Sequence, residues 1–462
     1  MGSIFANFHE AQRVGNGRLL ASCLAPVDTT HDPRRLQSFA QLSNYQTVSA
    51  DIRYYLVQDR NAVKLPKAEG NAWVDIFVSL WKCVKELDGL QQGNGTGDWT
   101  KAFDAYKEMC NLLVRGYTNF GFQSWTVPCL YIAGKYIRMI AMKADSATKS
   151  KDANADVFAN GLSDDIMGDG DKNKNLEQAA WTINRMFTVC LSDRAELAES
   201  RKWGIYSTTN LLFKTYFKLN SISLTRNVIR ALEAASADLP PLELFPKSHR
   251  CTFKYYRGVI DFLQENYTEA ERNLNEALEL CHKDSLKNRE QILTYLIPAH
   301  VVNHHQLPSN SLLAPHPILS GLFTPLFTAV RKGALASFDN ALSTAEPDLV
   351  KRRIYLTLER TRDICLRNLF RKVFLAAGFE ETKDATTGEM TGKIRRTRIR
   401  IEEFEAGMRV AYKGTTDVMI ERDEVECFLA NMIYKNMMKG YIARDRGIVV
   451  LSKAGAFPGT GV

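Results

Sequence analysis

Helical periodicity is the sequence feature that most restricts the fold of this chain. From residue 1 to about residue 345, apolar side chains recur three or four positions apart, which places one apolar stripe on each helix. Two clear sets are Ile76, Leu80, Val84 and Leu87, and Leu130, Ala133, Ile137 and Ile140. The period-two alternation of strands is nearly absent from this region. We therefore predict a mainly α-helical chain up to that point.

Two polar segments interrupt the helical pattern. Residues 91–98 are rich in Gly and Asn and are predicted to form a turn-rich loop. Residues 145–175 form a long segment rich in Asp, Gly, Lys and Asn and almost without aromatic residues. We expect a mobile loop near 145–175, inserted between two helices.

A more specific pattern lies between residues 253 and 281. Several residues there stand at the relative offsets of a tetratricopeptide (TPR) repeat, in which small residues let paired helices approach and larger ones fill the gap. These residues are Gly258, Tyr267, Ala270, Leu274 and Ala277. A weaker copy of the second-helix spacing is formed by Leu224, Val228 and Ala231. One good and one degenerate repeat predict a short solenoid of stacked helix pairs.

The pattern changes after about residue 349. We expect one long amphipathic helix over 350–377 that ends at Gly378, then a polar loop over 380–392 and a flexible basic stretch over 393–400. The apolar side of the short helix that follows is formed by Ile401, Phe404 and Met408.

A capped helix and a hairpin complete this region. Asp423 and Glu426 form a D-x-x-E helix start signal, and Gly440 is predicted to end that helix. The runs 441–443 and 448–451, joined by a tight turn, predict a β-hairpin. This order of elements is typical of a winged-helix domain.

The predicted fold is therefore a mainly α-helical one, a TPR-like helical-repeat solenoid followed by a C-terminal winged-helix domain. We assign residues 1–204 to an N-terminal helical domain and 205–345 to TPR-like repeats. Residues 346–455 form the winged helix, and 456–462 form a tail.

The positive charge of the chain is concentrated in one place. The formal net charge is +8 for 462 residues, and the window 351–400 alone holds 14 Lys/Arg against six Asp/Glu. A local excess of this kind can attract a polyanion or an acidic protein. Solvated helix faces are the alternative, and the charge alone does not choose between them.

Several function classes are disfavoured by the sequence. Apolar runs fall far short of the roughly 18 to 20 residues of a membrane-spanning helix, and the first ten residues do not resemble a secretory signal. We therefore expect a cytosolic or nuclear protein, with its nine scattered cysteines reduced. The sequence lacks the phosphate-loop, nucleophile-elbow and zinc-peptidase motifs, so no catalytic residue, cofactor or metal is predicted. The His304-His305 pair is interpreted as a loop or interface feature.

A helical-repeat solenoid that runs into a winged helix resembles the PCI domain, named from the proteasome lid, the signalosome and a translation-initiation factor. The local sequence is similar to the PCI subfamily of signalosome subunit twelve, the messenger-RNA export subunit Thp-one and PCI-domain protein two. The segments that carry this similarity are 353–360, 367–373, 423–434, 439–442 and 449–453. The resemblance covers at least residues 205–458.

The resemblance implies a non-enzymatic scaffold. Such family members pair their winged helix with that of a second PCI-domain protein, of the Sac-three or Thp-three type, and hold the small acidic protein Sem-one (DSS-one in animals). They present a joint basic surface to RNA or DNA, in transcription-coupled messenger-RNA processing and splicing or in nuclear export. We accordingly expect the nucleus as the main location, with the cytoplasm as the second.

Two groups of cations are candidate phosphate ligands. The basic stretch contributes Arg395, Arg396, Arg398 and Arg400, and the capped helix and hairpin contribute Lys435, Lys439, Arg444, Arg446 and Lys453. No row of exposed aromatic residues interleaves with them, so base stacking is not predicted. Binding would depend on shape and charge, with weak sequence specificity and strong salt dependence. The alternative is that these charges are simply solvated.

Two further surfaces are assigned to protein partners. We expect strand 448–451 to be a sheet edge, which is a natural docking site for another chain. The candidate contacts for a second PCI-domain protein are Met437, Met438, Ile448, Val449, Val450 and Leu451. The candidates for the acidic partner are Lys214, Tyr216, Lys218, Lys254, Tyr255 and Arg257. A purely protein-binding, signalosome-associated subunit, whose basic face meets acidic partners, remains the second hypothesis.

Overall fold

The computed structural model describes residues 3–28, 32, 34–60, 62–91, 97–156, 173–383, 390–412 and 421–461. The chain divides into two compact units, Met1–Tyr256 and Arg257–Val462. This division falls inside the helix Lys247–Leu263, within the segment that the sequence assigns to TPR-like repeats. Most of the turn predicted over 91–98 lies outside the described residues.

The first unit is helical in its described part. Its helices are α1 Ser3–Val14, α2 Gly17–Cys23, α3 Arg35–Ala40, α4 Val48–Arg53, α5 Lys67–Gln91, α6 Trp99–Asn119, α7 Pro128–Asp156, α8 Lys174–Leu191, α9 Ile205–Lys218 and α10 Ser223–Ala234. Trp73, Phe77 and Trp81 repeat every four residues on α5 and are fully buried, as is Phe8 on α1. Phe122 stacks on Trp73 with ring centroids 4.4 Å apart. An aromatic core therefore holds this unit together.

The predicted polar loop between α7 and α8 begins later than the sequence suggested. α7 continues to Asp156, and residues 157–172 lie outside the described part of the chain. Asp145 is buried within α7, and its carboxylate accepts hydrogen bonds from the backbone N–H groups of Asn175 and Leu176, both at 3.0 Å. A carboxylate at the first turn of a helix satisfies N–H groups that have no partner within the helix. Asp145 is thus an internal contact that fixes the start of α8.

A second buried carboxylate, Asp193, organises the connection from α8 to α9. It accepts hydrogen bonds from the Ser200 hydroxyl at 2.9 Å and from the backbone N–H of Arg201 at 2.7 Å. The Arg201 guanidinium contacts its other oxygen at 2.6 Å and also donates to the carbonyl of Tyr117 at 2.7 Å. Burial alone would raise the pKa of Asp193, but the bonds from Arg201 and Ser200 outweigh it and lower that pKa to about 2.

We expect Asp193→Asn to lower the free energy of unfolding at pH 7 by about 2 to 3 kcal/mol, because charge-assisted hydrogen bonds are lost in a buried site. The folded-state pKa of about 2 lies below the ordinary value of 3.8. The stabilisation is therefore complete above about pH 4 and is lost as the pH falls toward 2. Urea denaturation of both proteins at pH 7 and pH 2.5 measures this. A stability difference that is equal at the two pH values would contradict the assignment.

The second unit combines helices with short strands. The helix shared by both units is α11, Lys247–Leu263, and the others are α12 Tyr267–Leu280, α13 Leu286–His304, α14 Asn310–Leu313, α15 Pro317–Lys332, α16 Leu335–Arg352, α17 Tyr355–Glu359, α18 Arg362–Ala376, α19 Ile401–Ala411 and α20 Arg422–Tyr434. The strands are β1 Phe379–Lys383, β2 Met390–Arg395, β3 Arg398–Arg400, β4 Gly440–Ala443 and β5 Ile448–Leu451. In the described ranges, no helix of either unit is both long and apolar enough to span a bilayer.

The TPR-like helix pair forms where the spacing predicts it. A Cβ atom on Gly258 of α11 would lie 2.6 Å from Leu274 Cγ of α12, so only glycine permits this approach. Ala270, Leu274 and Ala277 are fully buried. The degenerate copy is weaker than predicted, because Leu224 at the start of α10 is exposed.

The single long helix predicted over 350–377 is wrong. Three helices, α16, α17 and α18, occupy this region, and the first break arises because Arg353 adopts a left-handed conformation with φ +61°. The N–H groups of Arg353 and Ile354 donate to the carbonyls of Val350 and Leu349, which is a Schellman cap. Ile354 is buried directly after the break, so the apolar periodicity continues across it. The predicted stop at Gly378, with φ +77°, is confirmed.

The polar loop predicted over 380–392 and the flexible basic stretch are also wrong for the described residues. β1 and β2 form an antiparallel hairpin from the pair Phe379 and Arg395 to the pair Lys383 and Met390. Residues 384–389 lie outside the described part. The segments 379–383 and 390–395 are rich in charged residues, so the sequence does not indicate half-buried strands there.

The boundaries of α20 differ from the prediction as well. The helix begins at Arg422 after Glu421, and Asp423 makes no side-chain cap. It ends at Tyr434, and Asn436 reverses the chain with φ +53°. Gly440 instead opens β4, where a Cβ atom would lie 2.4 Å from the carbonyl oxygen of Val450. Glycine is needed at this position because β4 and β5 approach closely. A sequence pattern cannot distinguish a glycine of this kind from one that ends a helix.

Candidate nucleic-acid and partner surface

The winged helix carries a three-stranded antiparallel sheet in the order β3–β5–β4. β5 pairs with β3 on one side and with β4 on the other. The prediction that strand 448–451 is an edge is therefore wrong, and β5 is the central strand. β3 has only three residues, Arg398–Arg400, and is too short and too basic to be recognised as a strand by its pattern.

The side chains assigned to a second PCI-domain protein mostly serve the core of this chain. Met437, Met438, Val449 and Leu451 are buried, and Ile448 and Val450 are half-buried. The four buried side chains are not available to a partner in this conformation. The sequence alone does not show that these side chains face the interior, or that β3 pairs with β5.

One face of the sheet points outward and combines cations with apolar groups. Cross-strand partners lie on the same face, so Arg398, Val450 and Tyr441 form one row across the three strands. The next outward row is formed by Arg400, Ile448 and Ala443. The opposite face contains Ile399 and Val449, both fully buried. We call these two outward rows the outer wing face.

The outer wing face includes an exposed aromatic ring. Tyr441 is 62% exposed, and it lies two strands from Arg398, which corresponds to about 10 Å at ordinary strand spacing. The sequence predicts no row of exposed aromatic residues among the cations, and this face carries the single ring of Tyr441. A single tyrosine is a platform for one base rather than for a row of bases.

Two lysines adjoin the outer wing face at one end of the sheet. The backbone N–H of Ser452 donates to the carbonyl of Lys439 at 2.9 Å, which continues the pairing of β4 and β5 by one residue. The N–H of Lys439 donates to the carbonyl of Ala456 at 2.8 Å, so the tail packs against this end. The side chains of Lys439 and Lys453 are exposed.

The nine cations predicted to bind nucleic acid fall into two groups. Those of the first group are exposed, and no carboxylate oxygen of the described residues lies within 4.0 Å of their charged side-chain nitrogens. They are Arg398, Arg400, Lys439, Arg446 and Lys453. Arg446 lies in the turn between β4 and β5. These charges are available to an external anion.

The second group is engaged within the chain. Lys435 contacts Asp363 at 2.5 Å, and Arg444 contacts Glu426 at 3.3 Å and Asp423 at 3.8 Å. Their positive charge is largely compensated by these neighbours, although all of these pairs are at least partly open to solvent.

Arg395 and Arg396 also belong to the engaged group. The Arg395 guanidinium lies over the rings of Phe374 and Phe379, 5.4 and 4.6 Å from their centroids. Arg396 contacts Glu403 at 2.8 Å and Glu380 at 3.7 Å. Arg395 therefore links the β1–β2 hairpin to α18, and Arg396 links it to α19.

Helix α20 does not have the surface of a groove-reading helix. Its first turn exposes Asp423 and Glu424, and Glu421 before it is also exposed. The intervening Arg422 contacts Glu402 at 3.5 Å and Glu426 at 3.7 Å. Recognition helices usually present their N-terminal residues to base edges between two phosphate backbones. Carboxylates at that position would repel the phosphates, so the outer wing face is the better candidate.

The candidates for an acidic partner are only partly exposed. Tyr216 is buried, Lys214 and Lys218 are exposed, and Lys254 and Tyr255 are half-buried. In the second unit, Arg257 contacts Asp261 at 3.3 Å. Tyr216 lies on the buried side of α9, so its side chain is not available to a partner in this conformation.

The first unit adds two cations that the sequence interpretation missed. Arg138 on α7 donates to the carbonyl of Lys214 at 3.3 Å. Partial desolvation, and then the like charges of Arg138 and Lys135, lower the pKa of the Lys214 ammonium. Three cations from α7 and α9 thus lie close together. Their distance in sequence hides this cluster from any local charge count.

Comparison with known proteins identifies the class of this protein. The PCI domain family matches residues 346–453, and the sheet and helices described above form its winged helix. The chain is 48% identical to Protein CSN12 homolog of Gibberella zeae over 100% of both chains. It is 38% identical to Protein CSN12 homolog of Schizosaccharomyces pombe over 78% of each chain.

A more distant relative extends the family to animals. The chain is 30% identical to PCI domain-containing protein 2 of Xenopus laevis, over 78% of this chain and 75% of that protein. The fold and these matches define a PCI-domain protein. Within that class, the chain belongs to the scaffold family of the CSN12 homologues and PCI domain-containing protein 2, which confirms the resemblance seen in the sequence.

Proposed function

We propose that this chain is a non-enzymatic scaffold subunit that binds RNA or DNA through the outer wing face and its adjoining lysines. It pairs there with a second PCI-domain protein and holds the small acidic protein Sem-one/DSS-one. It acts in the nucleus, in transcription-coupled messenger-RNA processing and splicing or in export. The observation that carries the proposal is the set of exposed cations whose side chains have no carboxylate partner among the described residues: Arg398, Arg400, Lys439, Arg446 and Lys453.

The charge pattern favours phosphate as the counterpart. Cations that already have a carboxylate neighbour gain little from a phosphate, whereas uncompensated ones release counterions when they bind it. Tyr441 can stack on one unpaired base, a contact worth about 1 to 3 kcal/mol. This combination favours single-stranded nucleic acid with weak sequence preference.

The sheet also has a place for a second PCI-domain protein. With β5 in the centre, β3 and β4 are the outer strands, and an outer strand can accept a strand from another chain. We assign the partner to β4, whose residue Tyr441 is exposed. Nucleic acid would then contact both proteins along a shared basic surface.

A second candidate is supported by the apolar centre of the same face. Ile448 and Val450 are half-buried between the cations and Tyr441. An apolar centre with a charged rim is also typical of protein interfaces. In this alternative the chain is a purely protein-binding, signalosome-associated subunit, and the cations meet carboxylates of its partners.

The salt dependence of RNA binding separates these two functions. We expect the full chain, alone or with its PCI-domain partner, to bind a single-stranded RNA of mixed sequence. Five phosphate contacts predict a slope of log Kobs against log salt of about −3.5, since each contact contributes about −0.7 for single strands. Fluorescence anisotropy at several salt concentrations measures the slope. No binding at low salt, with or without the partner, would refute the first proposal and favour the protein-only function.

A further inference from the structure

Three potential metal ligands converge on one side of the second unit. Glu271 lies on α12, and His300 and His304 lie one turn apart on α13. His300 Nδ1 is 2.7 Å from Glu271 Oε1, and His304 Nε2 is 3.1 Å from Glu271 Oε2. One ligand atom from each of the three residues lies within 4.8 Å of the other two.

The sequence interpretation missed this cluster. It considered the adjacent pair His304-His305, but His305 is the left-handed residue that ends α13, with φ +53°. The relevant spacing is i, i+4, which places His300 and His304 on one face of the helix. Glu271 precedes His300 by 29 residues, and only the packing of α12 against α13 brings it close.

We propose that Glu271, His300 and His304 form a Zn²⁺ site that clips α12 to α13. Two imidazoles and one carboxylate are a typical three-residue zinc ligand set, with water at the fourth position of a tetrahedron. Ca²⁺ and Mg²⁺ prefer oxygen ligands, so a site with two imidazole nitrogens disfavours them. The site makes no use of the wing sheet and is independent of nucleic-acid binding.

The side chains must adjust to hold the ion. Zinc bonds of about 2.0 to 2.1 Å imply about 3.3 Å between tetrahedral ligand atoms, whereas one ligand atom from each residue now lies within 4.8 Å of the other two. The 2.7 and 3.1 Å contacts join the two histidines to different oxygens of Glu271. The histidine side chains are 40% and 51% exposed, so they can shift and an ion can enter. Glu271 is only 13% exposed and anchors the site from α12.

A fourth residue orients the carboxylate. Asn303 Nδ2 donates to Glu271 Oε2 at 2.7 Å. Polar groups that hold a metal ligand in place commonly change the affinity by about 10- to 100-fold when they are removed. Asn303 therefore gives a test that removes no ligand atom.

The test uses the full chain, dialysed against a chelator and titrated with ZnCl₂ by calorimetry. We expect one saturable Zn²⁺ per chain and a raised thermal unfolding midpoint. His304→Ala should abolish this binding, Glu271→Gln should weaken it while preserving side-chain size, and Asn303→Ala should weaken it by about 10- to 100-fold.

A matched control is His282→Ala. His282 is exposed beside Asp284 and contributes no atom to the three-residue cluster, so this variant should bind zinc as the parent does. Circular dichroism verifies that each variant remains folded. Absence of saturable binding to the parent chain would overturn the site. Zinc binding that is unchanged in both His304→Ala and Glu271→Gln would overturn it equally.

Discussion

Replacing Arg398 and Arg400 together by Glu should weaken RNA binding on the order of 1,000-fold at moderate salt. Each reversal removes an attraction of about 1 kcal/mol and adds a repulsion of similar size, and every 1.4 kcal/mol is a factor of ten. Both residues lie on β3 with exposed side chains, and neither guanidinium forms an ion pair with a carboxylate of the described residues, although the backbone N–H of Arg400 donates to Glu403 Oε1 at 3.4 Å. The slope of log Kobs against log salt should become shallower by about 1.4, because two contacts of about 0.7 each are lost.

The matched control is the double variant Lys435→Glu with Arg444→Glu, which changes the net charge by the same amount. Lys435 is paired with Asp363, and Arg444 is paired with Glu426. If phosphate binds on the outer wing face, this variant should lose about threefold or less, as screened long-range repulsion predicts. Anisotropy titrations of both double variants, with circular dichroism as a folding check, complete the comparison. Equal losses would show that only the total charge matters and that the outer wing face is not the site.

The contrast between these two pairs could not be predicted from the sequence. All four residues stand in the same basic C-terminal region and were treated alike. What separates them is the fold, which brings Asp363 to Lys435 across 72 positions and leaves the guanidinium groups of Arg398 and Arg400 without an ion pair among the described residues. A count of charges along the chain gives the net charge of a region. Which of its cations can bind an external anion depends on the ion pairs that the tertiary fold forms.

The element order was predictable for a different reason. Helix periodicity, the TPR-like offsets around Gly258 and the hairpin over 441–451 depend on local patterns, and the structure contains the corresponding elements. The same local patterns failed where one residue changes the chain direction, as at Arg353 with φ +61°. They also failed at β3, because a three-residue strand has no periodicity of its own.

Gly333→Ala is expected to be the most damaging single substitution that we propose for the second unit. Gly333 ends α15 with φ +61°, and the N–H groups of Gly333 and Ala334 form a Schellman cap with Val330 and Ala329. A Cβ atom at this position would lie 2.7 Å from the backbone nitrogen of Leu369 and 2.9 Å from its Cα. Because those are backbone atoms of α18, a side-chain rotation cannot relieve the clash.

We expect the free energy of unfolding of this variant to fall by about 3 kcal/mol or more, from left-handed backbone strain together with the displacement of a packed helix. Gly378→Ala is the control. Gly378 also has a positive φ, +77°, but the nearest atom to its Cβ position is 4.0 Å away, so only the strain of about 1 kcal/mol applies.

Urea denaturation of the two variants isolates the contact between α15 and α18. If both substitutions cost the same, left-handed strain alone explains the loss, and the close approach of Gly333 to Leu369 does not contribute to stability. If Gly333→Ala lowers the free energy of unfolding more than Gly378→Ala does, the position of α18 against α15 depends on this glycine. Helix α19 in turn packs on α18, where Gly407 and Val373 approach each other similarly closely.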